Sequence, residues 1–301
     1  MTCHNRKEKT LRCLQSLAAA VEAYGGKWQA SDQQPSIAAH VFLTDDGCTD
    51  GTVEALQISI PPMLTSRLHV IEGDGTLYWA GGMRAAWRAA MAWEEHWDYY
   101  LLLNDDTVVS PDAFTSLFAA EDYCRKQFGS EGIVSGMTGD PADPARITYG
   151  GEVFISRLTC RRRMLGVSDV PQRCDWTHAN ILLVPRYVVE RQGILYGGYR
   201  HGQADLDYGY RARRAGIPVV VTAKVCGICA FDHPDIGDIE TRLCAMTLQE
   251  RRQYLNHPLH SDADYLTMIR RCMPAKYPLT WLFRKMNLYT PRLYYWLNKK
   301  R

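Results

Sequence analysis

Three stretches combine carboxylates with residues that bend a chain: TDDGCTDGT at 44–52, LLLNDDT at 101–107 and HGQADLDYGYRARRAG at 201–216. In LLLNDDT an apolar run, of the kind a chain buries on both faces, ends in two adjacent acids. Neighbouring carboxylates repel, so Asp105 and Asp106 call for a lysine or arginine, a metal ion, or a proton held at raised pKa. In DDGCTDGT a calcium loop is excluded: counting from Asp46, position three is Cys48 and position twelve is Gln57. A tight turn and helix cap suits Gly47, Thr49, Asp50 and Gly51. In the third stretch Asp207 stands four residues before Arg211, the spacing of a helical ion pair, and an exposed pair is expected there. Asp205 lacks that partner and falls at the expected helix start.

Other residues have competing readings. In LYWAGGMRAAW, Gly81 and Gly82 would let a ligand approach the backbone, and Arg84 could meet a diphosphate or a base. The alternative is a glycine helix cap followed by a solvated arginine, with Trp79 in the core. Cys226 and Cys229 form a C-x-x-C inside the apolar stretch VVVTAKVCGICAF, where burial is expected ahead of zinc or redox chemistry.

The elements that must position these residues alternate. Leu11, Leu14, Leu17, Ala18 and Val21 recur at helical spacing after the opening TCHNR, 37–43 reads as a buried strand, and 49–56 as a helix capped by Thr or Asp. A short strand at 67–73, a helix at 83–96, a strand at 98–103 and a helix opening on Ser-Pro at 110–124 follow. This order predicts an α/β fold with a mainly parallel sheet flanked by helices. Ligands of such sheets bind beyond the carboxyl ends of the strands, where both acidic pairs fall. Beyond residue 130 the chain becomes richer in strands (132–138, 147–156, 176–185), with a last helix–strand pair from Asp205. After about residue 240 it turns helical, then aromatic and basic: YPLTWLFRKMNLYTPRLYYWLNKKR.

With Lys+Arg 35 against Asp+Glu 33, the net charge of +2 gives no bulk attraction for nucleic acid. Ten scattered cysteines without a secretory signal point to free thiols in a reducing cytoplasm. No apolar run reaches the length of a membrane span. The tail interleaves Trp281, Phe283, Tyr294, Tyr295 and Trp296 with Arg284, Lys285, Arg292, Lys299 and Lys300. It suits peripheral contact with an anionic bilayer at the inner face of the cell membrane, or packing on the domain or against a partner in a homodimer.

In their order, TCHNR, TDDGCTDGT, LYWAGGMRAA, LLLNDDT before Pro111, and DLDYGYRARRAG resemble the motifs of family 2 glycosyltransferases of the GT-A fold, over roughly residues 1–235. GDGTLYWAGGMR and the W-x-x-x-x-x-L-L-V-P stretch resemble the bacterial enzymes that build surface polysaccharides, including rhamnosyltransferase-like members. The resemblance implies a GT-A domain at 1–240, with a nucleotide-sugar half at about 1–130 and an acceptor half at about 131–240, and a C-terminal helical extension at 241–301. It implies a nucleoside diphosphate sugar donor, a glycan or lipid-linked acceptor, and Mn2+ or Mg2+. Asp106 matches the metal ligand, Asp105 the acid on the ribose and Asp46 the acid that reads the base, with Thr2, His4 and Arg6 flanking the nucleotide. Here the motif is Asn-Asp-Asp and not Asp-x-Asp. Asp205 falls where the family's base falls, six residues before the arginine, in agreement with its lack of an ion-pair partner. His233 matches a late histidine on the metal, against the ordinary reading of a surface histidine. Trp176 and His178 are placed at the acceptor site. The family's first strand begins several residues before its Thr-x-x-Asn-Arg motif, so this chain is expected to have a short first strand or further residues upstream. The competing readings are a sugar-nucleotide pyrophosphorylase, whose glycine-rich basic loop TCHNRKEK does not supply, and a non-catalytic sugar-binding relative, against which the intact acids argue.

Overall fold

The computed structural model describes residues 1–26, 37–94, 96–157, 159–231, 236–260 and 262–299. Strands β1 (Thr2–Cys3), β2 (Val41–Asp45) and β3 (Leu68–Glu72) form one parallel sheet in that order, linked by helices α1 (Lys7–Gly26), α2 (Thr52–Ser59) and α3 (Pro62–Thr65). There follow α4 (Tyr78–Met91), β4 (Tyr99–Leu103), β5 (Val108–Val109), α5 (Ala113–Phe128), β6 (Ile133–Gly139), β7 (Ile147–Tyr149), β8 (Gly151–Ser156), β9 (Arg161–Met164), β10 (Gln172–Arg173), β11 (Trp176–Thr177) and β12 (Ile181–Pro185). Helices α6 (Arg186–Gln192) and α7 (Ala204–Arg214) precede β13 (Val219–Ile228). The chain then continues through α8 (Ile236–Ala245), α9 (Leu248–Asn256), α10 (Asp262–Cys272), α11 (Tyr277–Tyr289) and α12 (Pro291–Lys299).

The larger sheet runs β10-β13-β6-β12-β4, with β5 beside β13 and β7 beside β6. The expected parallel pairing holds in the first sheet and between β13 and β6, whereas β12 lies antiparallel to both β6 and β4. That reversal has a use. A parallel strand would leave its end at the acidic edge, but β12 brings its beginning there, and Asn180 O accepts the Asn104 N–H at 3.2 Å. A third sheet, β11-β8-β9, forms because the expected strand 147–156 breaks at Gly150.

Strand β12 (ILLVP) is apolar and buried at every position because both faces are covered. Leu102, Leu182, Leu165 and Val221 lie in one buried cluster with Trp87 of α4, Tyr208 of α7 and Met268, Ile269 and Cys272 of α10. Leu103, Ile181, Leu183 and Val220 lie in the other with Leu14 and Leu17 of α1 and Leu117 of α5. Successive side chains of β12 alternate between the clusters, as the period of two requires. Burying each large side chain contributes about 1.5–3 kcal/mol, which holds the acidic edge on a stiff base. Helix α10 belongs to the same core as the sheet. Cys226 and Cys229 are buried free thiols, and all ten cysteines are free.

The turn at 49–52 differs from its expected form. Gly51, in the left-handed region at φ 77°, occupies the cap position of α2. Asp50 instead serves two helix starts, accepting the Thr52 N–H at 3.1 Å and the Lys7 N–H of α1 at 2.9 Å. The turn therefore fixes where α1 begins, and with it Arg6.

Candidate active site

The positive charge beside the acid pair is Arg6. Its Nη1 donates to Asp106 Oδ2 at 2.8 Å and to Asp105 Oδ1 at 3.2 Å. Both acids sit on the turn that closes β4, which Thr107 N–H bonding to Asn104 O at 3.3 Å keeps tight. Asn104 points the other way, accepting the Trp79 indole N–H at 2.7 Å through Oδ1 and the Cys13 thiol at 3.2 Å through its carbonyl. Asp105 is buried and its Oδ2 has no hydrogen-bond partner. Burial pushes its pKa up to about 6 against the pull of Arg6, and the neighbouring Asp106 charge pushes the same way. Asp106 is more open, and its Oδ1 meets the Cys229 thiol at 3.6 Å.

Asp205 heads α7. Its Oδ2 accepts the Ala179 N–H at 3.1 Å and its Oδ1 the Leu206 N–H at 2.9 Å. Asn180, one residue on from Ala179, touches both the β4 turn through its carbonyl and Cys229 through Nδ2 at 3.3 Å. Asp205 and the acid pair thus flank one short segment, residues 179–180. Asp205 has no cation paired with it among the described residues.

Asp207 does form the ion pair expected with Arg211, at 2.9 Å, but it is not exposed. Its carboxylate is fully buried, also pairs with Arg271 of α10 at 3.1 Å, and accepts the Cys272 thiol at 3.3 Å. Sequence spacing shows a partner four residues away but cannot show one sixty-four residues away. Asp264, also on α10, accepts N–H groups from Arg200, His201 and Gly202, the His201 contact at 2.9 Å. Two acid contacts therefore fasten α10 to the start and loop of α7, a role for the C-terminal helices that sequence reasoning missed.

The remaining sequence-predicted residues divide. Asp46 is buried, and its carboxylate is occupied by backbone N–H groups of Gly75 at 2.9 Å, Leu77 at 3.2 Å and Tyr78 at 2.8 Å. It shapes the loop before α4. His4 sits beside it, Nδ1 at 2.6 Å from Asp46 O. Thr2 is buried, and its Oγ1 would lie 2.1 Å from a Cβ placed on Gly82. Gly82 thus admits Thr2 and the close packing of α4 on β1. Arg84 is bound to the carbonyls of Tyr196 at 3.1 Å and Tyr199 at 2.8 Å, tying α4 to the loop before α7. Trp176 is buried with Arg162 stacked 4.2 Å from its ring centre. His178 is half-buried between Gly150 O at 3.0 Å and Glu152 at 3.5 Å, one residue before the Asp205 contact. His233 lies outside the described residues.

The acid pair can be tested against a divalent cation on its donors. Two adjacent carboxylates, one with a buried oxygen lacking a partner, supply hard oxygen ligands. Mg2+ and similar ions commonly bind through one or two carboxylates plus phosphate oxygens, so the residues fit such an ion.

Residues 1–124 match glycosyl transferase family 2. Among solved structures, the mannosyltransferase PcManGT of Pyrobaculum calidifontis, in complex with GDP-Man and Mn2+, is similar with a TM-score of 0.52 at 13% identity, over 96% of this chain and 79% of that one. S. aureus TarS 1–349 in complex with UDP-GlcNAc is similar with a TM-score of 0.51 at 12% identity, over 96% of this chain and 74% of that one. At such identities the likeness is one of fold. No curated protein matches the chain.

Proposed function

We propose that this chain, whose first 124 residues match glycosyl transferase family 2, is an inverting, metal-dependent glycosyltransferase. It moves a sugar from a nucleoside diphosphate sugar to a hydroxyl of a glycan or lipid-linked acceptor in the building of bacterial surface polysaccharide. The observation that carries this reading is the arrival of Asp205 and the Asp105–Asp106 pair on the two sides of residues 179–180. In this reading Asp205, held in place by two backbone N–H groups, takes the proton from the acceptor hydroxyl as it attacks the anomeric carbon. Arg6 faces the negative charge that develops on the departing diphosphate. Asp106, with His233 as the second ligand, would hold Mn2+ or Mg2+, which when bound would neutralise the leaving diphosphate, and Asp105 would meet the ribose. Thr2, His4 and the loop that Asp46 organises border the nucleotide, and His178 borders the acceptor. Arg84 and Trp176 act by holding the walls of the site.

Residues 1–240 form the catalytic unit in this proposal, and the helices of 241–301 serve as its buttress through Asp264 and Arg271. A thermal-shift panel of nucleoside diphosphates and their sugars, each with and without Mn2+, tests the reading. One base class should raise Tm, and more so with the ion; a flat panel would refute it.

The last two helices support a place at the inner face of the cell membrane. No helix among the described residues is long and apolar enough to cross one. Residues 277–301 contain no acidic residue. Leu279, Trp281, Leu282, Leu293 and Trp296 are 44–57% exposed, beside Lys285 and Arg292. An apolar and cationic surface of this kind fits the headgroup layer of an anionic bilayer. Arg284 takes no part, being paired with Asp262 at 3.1 Å. Full-length protein should float with anionic liposomes and not with neutral ones, and Trp281→Glu with Trp296→Glu should abolish flotation at unchanged Tm. Flotation that survives both substitutions would remove the bilayer as the partner of this surface.

A further inference from the structure

At the ends of β1 and β2 three ligand-bearing side chains converge that the proposed reaction does not use. The Cys3 and Cys48 sulfurs are 3.7 Å apart, and with an Asp45 carboxylate oxygen they form a set whose atoms all lie within 4.8 Å of one another. Among the described residues it is the one group of three or more such side chains this close. The spacing is informative. Two sulfurs bound to one tetrahedral ion at about 2.3 Å each are separated by roughly 3.8 Å, so the thiols already stand at the distance a shared ion would set. The Asn5 N–H donates to Cys48 Sγ at 3.2 Å, the kind of outer hydrogen bond that orients a ligating sulfur. Burial raises the pKa of both thiols, so each keeps its proton until a metal ion displaces it. Asp45 is itself fixed, its Oδ1 accepting the Cys48 N–H at 2.8 Å.

We propose that Cys3, Cys48 and Asp45 form a second cation site, selective for a thiophilic divalent ion such as Zn2+ and distinct from the oxygen donors of Asp105 and Asp106. Two sulfurs and one carboxylate match the softer ion, whereas Mg2+ requires oxygen ligands. Binding is a proton exchange with no change of oxidation state: each thiol gives up its proton to solvent as its sulfur takes the metal. The fourth position is left to water. Cys3 closes β1 and Cys48 lies in the turn after β2, so a shared ion would clamp together the two loops that carry His4, Arg6 and Asp46. Occupancy would therefore set the shape of the nucleotide side of the cleft.

The test uses the reduced, metal-stripped full chain titrated with Cd2+, following the thiolate-to-cadmium absorption band and proton release together. A saturable band at one ion per chain is expected, with about two protons released for each ion. Mg2+ in excess should not compete. Cys3 is buried and its replacement risks the fold, so the partly exposed Cys48 carries the test: Cys48→Ser should weaken binding by about tenfold or more, and Asp45→Asn by less. The same affinity and band in Cys48→Ser would assign the signal to other cysteines and overturn the site. Absence of saturable binding to the wild-type chain would show that the 3.7 Å spacing is only a thiol–thiol contact.

Discussion

Asp205→Asn should lower sugar transfer by a factor on the order of 10²–10⁴ while nucleoside diphosphate binding stays within a small factor of wild type. The amide cannot take a proton from the acceptor, yet it keeps the size of the side chain and one of its two acceptor oxygens. One of the Ala179 and Leu206 N–H bonds is lost, which costs about 1 kcal/mol of stability. Asp207→Asn is the informative contrast. That carboxylate is fully buried between Arg211 and Arg271, and replacing it leaves two guanidinium groups without their anion at a cost of about 3 kcal/mol. Its Tm should fall several degrees further than that of Asp205→Asn, with turnover per folded molecule reduced far less. The measurements are turnover with a working donor and acceptor, diphosphate affinity, and Tm for both variants. An Asp207→Asn protein that stays folded and binds diphosphate but does not turn over would transfer the role of base to Asp207.

How far the sequence revealed this arrangement depended on distance along the chain. The alternation of strands and helices through residue 130 was legible because each element carries its own period, and LLLNDDT marked the end of a strand buried on both faces. The Asp207–Arg211 pair was legible because its partner is one helical turn away. The depth at which that pair is buried was not, because it is set by α10, whose Arg271 and Cys272 no local pattern connects to Asp207. The same limit applies to Asp46 and Gly82. No local pattern shows that the acid gathers three N–H groups of the following loop or that the glycine admits Thr2. The antiparallel direction of β12 was likewise hidden, since a fully apolar run such as ILLVP reads the same in either direction.

Asp106→Ala should remove the difference in nucleoside diphosphate affinity measured with and without Mn2+, and lower transfer on the order of 10²–10³-fold. Asp106 is the more open of the two acids, whereas Asp105 is buried with Arg6 on one oxygen, so loss of Asp106 takes away the accessible ligand and leaves the turn intact. Arg6 complicates the result in a useful way. Its Nη1 already bridges both carboxylates, and a cation entering between them must compete with that guanidinium or displace it toward the phosphates. Without Asp106, Arg6 retains only the 3.2 Å contact to Asp105 and becomes freer to meet the diphosphate directly. Metal-free binding of diphosphate by Asp106→Ala should therefore equal or exceed that of wild type, while the gain from Mn2+ disappears. Arg6→Ala separates the contributions: it should weaken metal-free binding but leave the Mn2+ gain in place. Wild-type protein that binds diphosphate equally with and without the ion would eliminate the metal-dependent reading and leave Arg6 as the group that meets the charge of the departing diphosphate.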